Sequence, residues 1–430
     1  MKIKLTLLAL ALSMPAFANS PATVDEALAQ AKKTHQPVLI DFGAPWCYSC
    51  YFMMTHVLNG AEWEAVEART VVTEVDADSP DGAAWMKKLE VKALPAYVVL
   101  NDNGDELGRI LGEQARPKFY PAIEKILAGS HTLDQLKASA VAGNADAMAT
   151  VLGSYEARKE GQAGLDWYAS LPTAARNGAA KNSTISLWLA RLDLARAIKA
   201  KENAAAVAAA KRVLAGDIGC DRPYVVDNLL EASEKMPEGE RKPMLAAQKP
   251  ALEHLLDHDV FVAKPPCADQ RSSVIVTADV DAALGDAKGE TAVLDRAIEH
   301  TRKRLGDDLA KDRNAADNLR VYLVRAKRMD ELDALYPKLI AAYPDDYVYP
   351  YRFGKSLLER DKPAEALPLF EKAAEKAYGE NRLEVAMQRV KALKALHRQA
   401  DAEKVVADTL EQNGQGFPEQ VDKLKAALKS

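Results

Sequence analysis

Two cysteines separated by two residues carry the clearest chemical signal in the chain. Cys47 and Cys50 follow an apolar run at residues 38–42 and the chain breakers Gly43 and Pro45. This order predicts a buried strand that delivers both thiols to the first turn of a helix. Because residues three apart share one helix face, the two sulfur atoms can meet and exchange with another disulfide.

The two thiols are expected to have different roles. At a helix N-terminus the dipole and free backbone N–H groups lower a thiol pKa from about 8.5 into the range of roughly 3.5–7.5. Cys47 is therefore the predicted nucleophile. Cys50 lies one turn deeper and is followed by Tyr51 and Phe52, so we expect it to be shielded and to resolve the mixed disulfide.

Asp41 is the one charged residue in the apolar run. A carboxylate placed inside an apolar strand has a raised pKa, which suits general acid–base catalysis near neutral pH. The alternative is a buried carboxyl that is satisfied by hydrogen bonds and does no chemistry.

The elements around these residues predict a mixed α/β domain. Residues 70–76, 96–100 and 105–111 have strand patterns, and Asn103-Gly104 predicts a hairpin turn between the last two. Helical patterns precede the first strand, separate the first three strands and follow the last one. The resulting order, β-α-β followed by β-β-α, is typical of a compact domain of about a hundred residues.

The W-C-x-x-C motif at residues 46–50, Pro95 after a linking loop and Asp41 in the preceding strand resemble the markers of the thioredoxin-like superfamily over residues 20–130. The resemblance implies a thioredoxin fold, a cis peptide bond at Pro95 and packing of Pro95 against the cysteine pair. It also implies proton relay between Asp41 and Cys50.

The same resemblance implies that Trp46, Tyr48 and Leu94 contact the substrate. Residues 47–63 resemble one branch in particular, which includes the reductive C-terminal periplasmic domain of the Dsb-family electron transporter. This favours reduction over oxidation or isomerisation. The dipeptide Tyr48-Ser49, and Val72 where the family has a lysine, leave the direction of electron flow open.

The other two cysteines, Cys220 and Cys267, stand far apart in a different part of the chain. A structural disulfide between them is the simplest expectation, worth on the order of 3–4 kcal/mol by loop closure. A second redox pair that exchanges with Cys47 is the alternative. A zinc site would need two more ligands at suitable spacing, so we predict no metal and no cofactor.

From residue 131 to 430 the sequence predicts helices. Apolar residues fall at helical spacing, and near the C-terminus Gly354, Leu357, Ala366, Phe370 and Ala373 match part of the tetratricopeptide motif. Such repeats form a concave surface suited to binding a protein, although a scaffold without a ligand is also open.

The N-terminus has the pattern of a secretory signal. Lys2 and Lys4 precede the apolar residues 5–12, and small residues suited to cleavage follow at 16–18. We predict a signal peptide at 1–18, a thioredoxin-like domain at 19–130, a helical repeat region at 131–430 and a periplasmic location. The apolar run is too short to span a membrane, which takes about 20 residues.

Removal of residues 1–18 would remove Lys2 and Lys4. The formal net charge would then change from −5, with 57 basic and 62 acidic residues, to −7, with 55 basic and 62 acidic residues. An acidic chain of this kind excludes nucleic acid as its main partner. The predicted function is thiol–disulfide oxidoreduction of protein disulfides, with the repeats binding a substrate or a redox partner protein. The alternative is a chaperone or adaptor that binds clients through the repeats.

Overall fold

The structure is a computed structural model that describes residues 21–129, 131–413 and 416–429. The signal peptide predicted at residues 1–18 lies outside the described residues. An N-terminal part built on a sheet, the sheet domain (residues 21–129), is followed by a part built of helices, the helical region (131–413 and 416–429). This confirms the predicted fold class, a thioredoxin-type α/β fold followed by an all-α region.

The sheet domain has the strands β1 (Val38–Gly43), β2 (Val71–Asp76), β3 (Ala96–Leu100) and β4 (Glu106–Leu111), and the helices α1 (Val24–Thr34), α2 (Tyr48–His56), α3 (Gly60–Glu67), α4 (Pro80–Lys88) and α5 (Arg116–Ala128). The strand order is β2-β1-β3-β4. β1 pairs parallel with β2 and antiparallel with β3, and β3 pairs antiparallel with β4. The sheet is therefore mixed, and β4 is an edge strand.

The alternation of side chains along β1 explains why it is apolar throughout. Val38, Ile40 and Phe42 pack on one face of the sheet with α1 and α4. Leu39 packs on the other face with α2 and α5. A strand buried on both faces needs apolar side chains at odd and even positions alike, and Asp41 is the exception on the face of Leu39.

The helical region contains α6 (Leu133–Val141), α7 (Ala145–Ala157), α8 (Gly161–Ser170), α9 (Thr173–Ala179), α10 (Ser183–Lys199), α11 (Asn203–Leu214), α12 (Arg222–Ala232), α13 (Glu238–Ala246), α14 (Lys249–Leu255), α15 (Gln270–Leu284), α16 (Ala287–Leu305), α17 (Arg313–Arg325), α18 (Met329–Ala342), α19 (Val348–Glu359), α20 (Pro363–Ala374), α21 (Gly379–Ala395), α22 (Gln399–Asn413) and α23 (Pro418–Lys429). Short 3₁₀ turns lie at Gly219–Asp221 and Leu309–Lys311, and a π-helical turn at Leu256–Val260. None of the helices in the described part of the chain has the length and apolar composition needed to cross a bilayer.

Residues 273–277, whose composition is typical of a strand, lie inside α15. The hydroxyl groups of Ser273 and Thr277 donate to backbone carbonyls one turn earlier, at 2.9 and 2.7 Å. Val274 and Val276 are buried in the helical core. Tertiary burial and internal hydrogen bonds here outweigh the weak helix preference of β-branched residues.

The residues that resemble the tetratricopeptide motif lie on the adjacent helices α19 and α20. Gly354 faces Phe370 so closely that a Cβ atom at Gly354 would lie 2.7 Å from its ring. Phe370, Ala366 and Ala373 are fully buried. This packing requires a small residue at position 354, while membership of the repeat family stays a prediction.

Candidate functional site

Cys47 and Cys50 meet at the start of α2, as the spacing predicts. Cys47 is the N-cap residue, and its Sγ accepts a hydrogen bond from the backbone N–H of Cys50 at 3.1 Å. The two residues form a disulfide with a Cα–Cα distance of 5.2 Å. A sulfur in this position lies where the helix dipole and an N–H donor stabilise negative charge, so the Cys47 thiolate is favoured on reduction.

The exposure of the two sulfurs differs from the sequence-based expectation. Cys47 is 4% exposed, whereas Cys50, expected to be the shielded sulfur, is partly exposed. The prediction rests only on the positions of the two cysteines along α2. The helical region covers the Cys47 end of the helix, and this cover is not visible in the local sequence.

Asp41 lies on the side of the sheet that faces Cys50. A Cβ atom built on Gly43 would point at Cys50 Sγ from 3.8 Å, and Asp41 is two residues earlier on the same strand, hence on the same face. Burial, together with the negative charge of Glu74, its cross-strand neighbour, raises the pKa of Asp41 to about 7. Near neutral pH this carboxyl can therefore either accept or donate a proton.

Pro95 is at the same end of the sheet as the cysteine pair. The Leu94–Pro95 peptide bond is cis. Ala96 pairs with Phe42 in the register of β1 and β3, which places Pro95 beside the end of β1, where Gly43 faces Cys50. Leu94 lines the same cavity as Tyr48.

Residues 44–50, here called the redox loop, are held by the helical region. Three side chains of that region donate hydrogen bonds to backbone carbonyl oxygens of the loop: Arg313 to Pro45 (3.5 Å), Arg352 to Trp46 (3.0 Å) and Asn314 to Tyr48 (2.9 Å). The Arg313 guanidinium also lies 4.1 Å from the centre of the Tyr51 ring. Hydrogen bonds from charged donors contribute more than neutral ones, so this clamp ties the loop to α17 and α19.

Asp317, on α17, holds Arg352 of the clamp and two further arginines. Its carboxylate is fully buried and pairs with Arg271 at 2.6 Å, with Arg352 at 2.7 Å and with Arg320 at 2.8 Å. Burial alone would raise the pKa of Asp317, but the three guanidinium groups hold it well below its usual value. Asp317 is thus ionised and fixes two side chains that contact the redox loop, since Arg271 lies 3.6 Å from the centre of the Tyr48 ring.

The second cysteine pair lies near the residues of the helical region that contact Tyr48. Cys220 and Cys267 form a disulfide with a Cα–Cα distance of 5.3 Å. Asp269, two residues after Cys267, accepts hydrogen bonds from the Tyr48 hydroxyl at 3.3 Å and from the Tyr224 hydroxyl at 2.6 Å. The disulfide therefore joins the segments that carry Tyr224 and Asp269, and these hold Tyr48 of the redox loop.

Glu113 is a second buried carboxyl beside the loop. Burial raises its pKa well above the usual value, and the nearby charge of Asp269 adds to this, while the Ser49 hydroxyl and Arg271 oppose it. Its Oε2 atom has no hydrogen-bond partner among the described residues. Burial therefore favours the neutral form of the Glu113 carboxyl, and one of its oxygens is left without a hydrogen bond in the described part of the chain.

Trp46 is the exposed residue of the W-C-x-x-C motif, with a relative exposure of 40%. Its indole N–H donates to Asp78 at 2.7 Å, and Asn381 of α21 donates to the same carboxylate oxygen at 2.8 Å. Tyr378 donates to Asp76 nearby. The ring is thus held by the sheet domain and the helical region together.

No cluster of three or more metal-ligating side chains occurs within residues 21–129, 131–413 and 416–429. The arrangement of the redox loop suits thiol–disulfide exchange: a sulfur at a helix N-terminus, a second sulfur in bonding distance and a carboxyl with a near-neutral pKa on the facing strand.

A comparison of the sequence with protein-family models identifies the domain that carries this site. The family model of the thioredoxin-like domain matches residues 24–127, which are the residues that form the sheet and its helices. Residues 24–127 are a thioredoxin-like domain. The match ends before α6, so the family relationship concerns the thioredoxin-like domain and not the helical region.

Two curated relatives resemble the thioredoxin-like domain. A Thiol:disulfide interchange protein DsbD of Klebsiella pneumoniae is 36% identical over 90 residues, 20% of this chain and 15% of that protein. One from Ralstonia nicotianae is 31% identical over 112 residues, 25% of this chain and 18% of that protein. The chain therefore spans less than a fifth of the length of these relatives.

A solved structure, a thioredoxin from Thermus thermophilus, is 29% identical and covers 25% of this chain and 88% of its own, with a TM-score of 0.24. The value is too low to carry any conclusion about function.

The residues of the helical region that touch the thioredoxin-like domain were not foreseen from the sequence. On α17, Asn314, Asp317 and Asn318 recur at helical spacing and are all buried. A polar stripe of this kind usually indicates a solvated face. The local sequence therefore holds no signal that separates this buried stripe from a solvated one.

Proposed function

We propose that this chain is a thiol–disulfide oxidoreductase in which Cys47 attacks the disulfide of a protein substrate. The observation that carries the proposal is the position of Cys47, N-cap of α2, with its sulfur bonded to Cys50 and hydrogen-bonded to the Cys50 N–H. The relatives named thiol:disulfide interchange proteins support it. Reduction is the favoured direction, and a redox partner protein is the expected source of electrons.

In the reductive direction the Cys47 thiolate attacks one substrate sulfur, and the other substrate sulfur leaves and is protonated. Cys50 then loses its proton to Asp41, attacks Cys47 Sγ and releases the second substrate thiol. The Cys47–Cys50 disulfide forms as the substrate disulfide is reduced, so two electrons pass to the substrate. A dithiol reductant restores the pair. Pro95, Leu94, Trp46 and Tyr48 shape the surface that meets the substrate.

Location and partner binding are further parts of the proposal. The pattern of residues 1–18 supports export to the periplasm, where disulfides form and persist. The contacts of α17, α19 and α21 with the redox loop and its surroundings support a role for the helical region in deciding which molecules reach the cysteines.

A small fluorogenic disulfide tests the chemistry without requiring a protein-binding surface. With dithiothreitol as the dithiol reductant, the full chain should accelerate reduction of a self-quenched, dye-labelled glutathione disulfide, and Cys47→Ser should abolish the acceleration. Met54→Ser is the matched control, because it also removes a sulfur from α2 but at a side chain that is 61% exposed. Equal rates for Cys47→Ser and the unaltered chain would refute the assignment.

A further inference from the structure

A large cavity lies between the thioredoxin-like domain and the first helices of the helical region, which also meet each other at the ion pair of Glu106 with Arg158 at 2.7 Å. Its volume is about 1870 Å³, whereas pockets for small ligands measure about 300–1,000 Å³. The cavity therefore has room for an occupant larger than a cofactor or a single metabolite.

One wall of the cavity is the edge of the sheet. All six residues of β4, Glu106–Leu111, line it. β4 is the last strand in the order β2-β1-β3-β4, so its outer backbone N–H and C=O groups have no strand partner in the described chain. Such an edge is a template for an extended polypeptide, which can use the free backbone groups.

The other wall is formed by helices and carries both apolar and polar side chains. α10 contributes Trp188, Leu194 and Ile198, and α7 contributes Ala149 and Ala157. Charged side chains of both signs also line the cavity, such as Lys125, Arg191, Asp146 and Glu156. Because neither sign dominates, the lining fits a polypeptide of mixed composition and not a polyanion.

The inner end of the cavity is the redox loop. Tyr48 and Ser49, the two residues between the cysteines, line it together with Leu94, which precedes Pro95. Glu113 lines the same end, and its buried Oε2 atom has no partner among the described residues. A bound chain that reaches these residues would therefore lie beside the two positions between the cysteines.

The helical region covers parts of the loop on two other sides. Arg313, Asn314 and Arg352 occupy the side of α17 and α19, and Asn381 with Asp78 occupies the side of α21. A folded protein approaching from these sides would collide with the helical region, while a single extended chain in the cavity would not.

We propose that this cavity binds an extended segment of a substrate polypeptide and leads its cysteines to the redox loop. Delivery of the disulfide to Cys47 rests on the proposed function, whereas binding of the segment does not. The helical region then acts as the second half of a substrate site, with β4 as the first half, and selects unfolded or flexible chains over compact ones.

Binding can be measured without redox chemistry in the Cys47→Ser, Cys50→Ser double variant. The probe is fluorescein-labelled, alkylated insulin B chain, an extended polypeptide without free thiols, followed by fluorescence anisotropy. Adding Thr150→Trp or Ala195→Trp, which fill the cavity from α7 and α10, should weaken binding at least about tenfold, or roughly 1.4 kcal/mol.

Matched controls lie elsewhere in the helical region. Thr291 is exposed like Thr150, and the hydroxyl of each donates to the carbonyl four residues earlier. Ala208 is an exposed alanine on α11. Thr291→Trp and Ala208→Trp should leave the affinity unchanged. Equal affinities for the cavity variants and these controls would overturn the proposal, and so would a complete absence of B-chain binding.

Two further measurements separate the possible failures. In the first, the Cys47→Ser, Cys50→Ser double variant carries no substitution in the cavity, and bound B chain should slow hydrogen exchange of its β4 amides. Unchanged exchange would contradict the proposal, and this result does not depend on whether a tryptophan variant folds. With both cysteines intact, the cavity variants should still reduce the small glutathione disulfide. Loss of that activity in every protein, including the unaltered chain, would refute the oxidoreductase function and leave the binding result standing.

Discussion

At the scale of single residues, Cys47 and Asp41 carry the chemistry that we propose. Cys47 has its sulfur at the N-terminus of α2, and Asp41 lies on the strand face turned toward Cys50. Val72, which stands where related domains have a lysine, is apolar and half-buried on β2. The pKa of Asp41 is therefore set by burial and by Glu74, with no cation from that position to lower it.

Asp41 should make the thioredoxin-like domain less stable as the pH rises. Its pKa moves from 3.8 in the unfolded chain to about 7 in the fold, so the folded state holds the proton more tightly and stability is lost between about pH 4 and pH 7. Asp41→Asn should raise the free energy of unfolding at pH 8 by up to about 4 kcal/mol, and the gain should vanish below about pH 4.

Hydrogen exchange of the β1 amides at several pH values measures this local stability. Asp105→Asn, an exposed aspartate of the same domain, is the control and should show no pH-dependent gain. A gain of equal size at pH 4 and pH 8 would mean that ionisation of Asp41 does not cause the instability.

At the scale of secondary-structure elements, most of the thioredoxin-like domain could be predicted from the sequence. Strand β3 occupies residues 96–100 as predicted, and the hairpin turn at Asn103-Gly104 has its glycine at φ +90°, a conformation that favours glycine. These features depend on local periodicity and turn chemistry. The pairing of Cys47 with Cys50 is equally local, because the two cysteines are only three positions apart in the sequence.

Features that depend on contacts between distant segments could not be predicted. Tyr48 meets Asp269 across 221 positions of sequence, and Asn314 meets Tyr48 across 266. Asp317 is buried only because Arg271, Arg320 and Arg352 surround it, and two of these come from helices other than α17. No window of sequence contains both partners of such a pair, so burial of the charge gives no local signal.

At the scale of the whole molecule, the helical region encloses the redox loop. The clamp and the cavity both involve residues 44–50, and the second disulfide joins the segments that hold Tyr48. The contact continues at α21, where Gly379 lies against the backbone of the thioredoxin-like domain: a Cβ atom there would lie 2.2 Å from the carbonyl oxygen of Asp78. Gly379 has φ +52°, which also favours glycine.

Gly379→Ala should loosen the enclosure. The added methyl group would push α21 away from Asp78 and break the hydrogen bonds of Asn381 and Tyr378. We expect the Cys47–Cys50 disulfide to be reduced by dithiothreitol about tenfold faster, as a loss of roughly 1.4 kcal/mol of contact energy would give. Alkylation and mass spectrometry follow the reduction.

Gly306→Ala is the control for backbone strain. Gly306 has φ +61°, but no atom lies within 4 Å of its Cβ position, so the variant carries the strain without the collision. If both variants were reduced at the same rate, the contact between α21 and Asp78 would not protect the disulfide.

The central claim, that Cys47 is the attacking sulfur, is tested most directly by locating a trapped mixed disulfide. In Cys50→Ser the resolving thiol is absent, so a peptide disulfide added to this variant should leave one peptide half attached to Cys47, identified by mass spectrometry of proteolytic fragments. We predict an adduct at Cys47 and none at Cys220 or Cys267, and no adduct in the Cys47→Ser, Cys50→Ser double variant. Attachment at Cys220 or Cys267, or no adduct in Cys50→Ser, would contradict the claim.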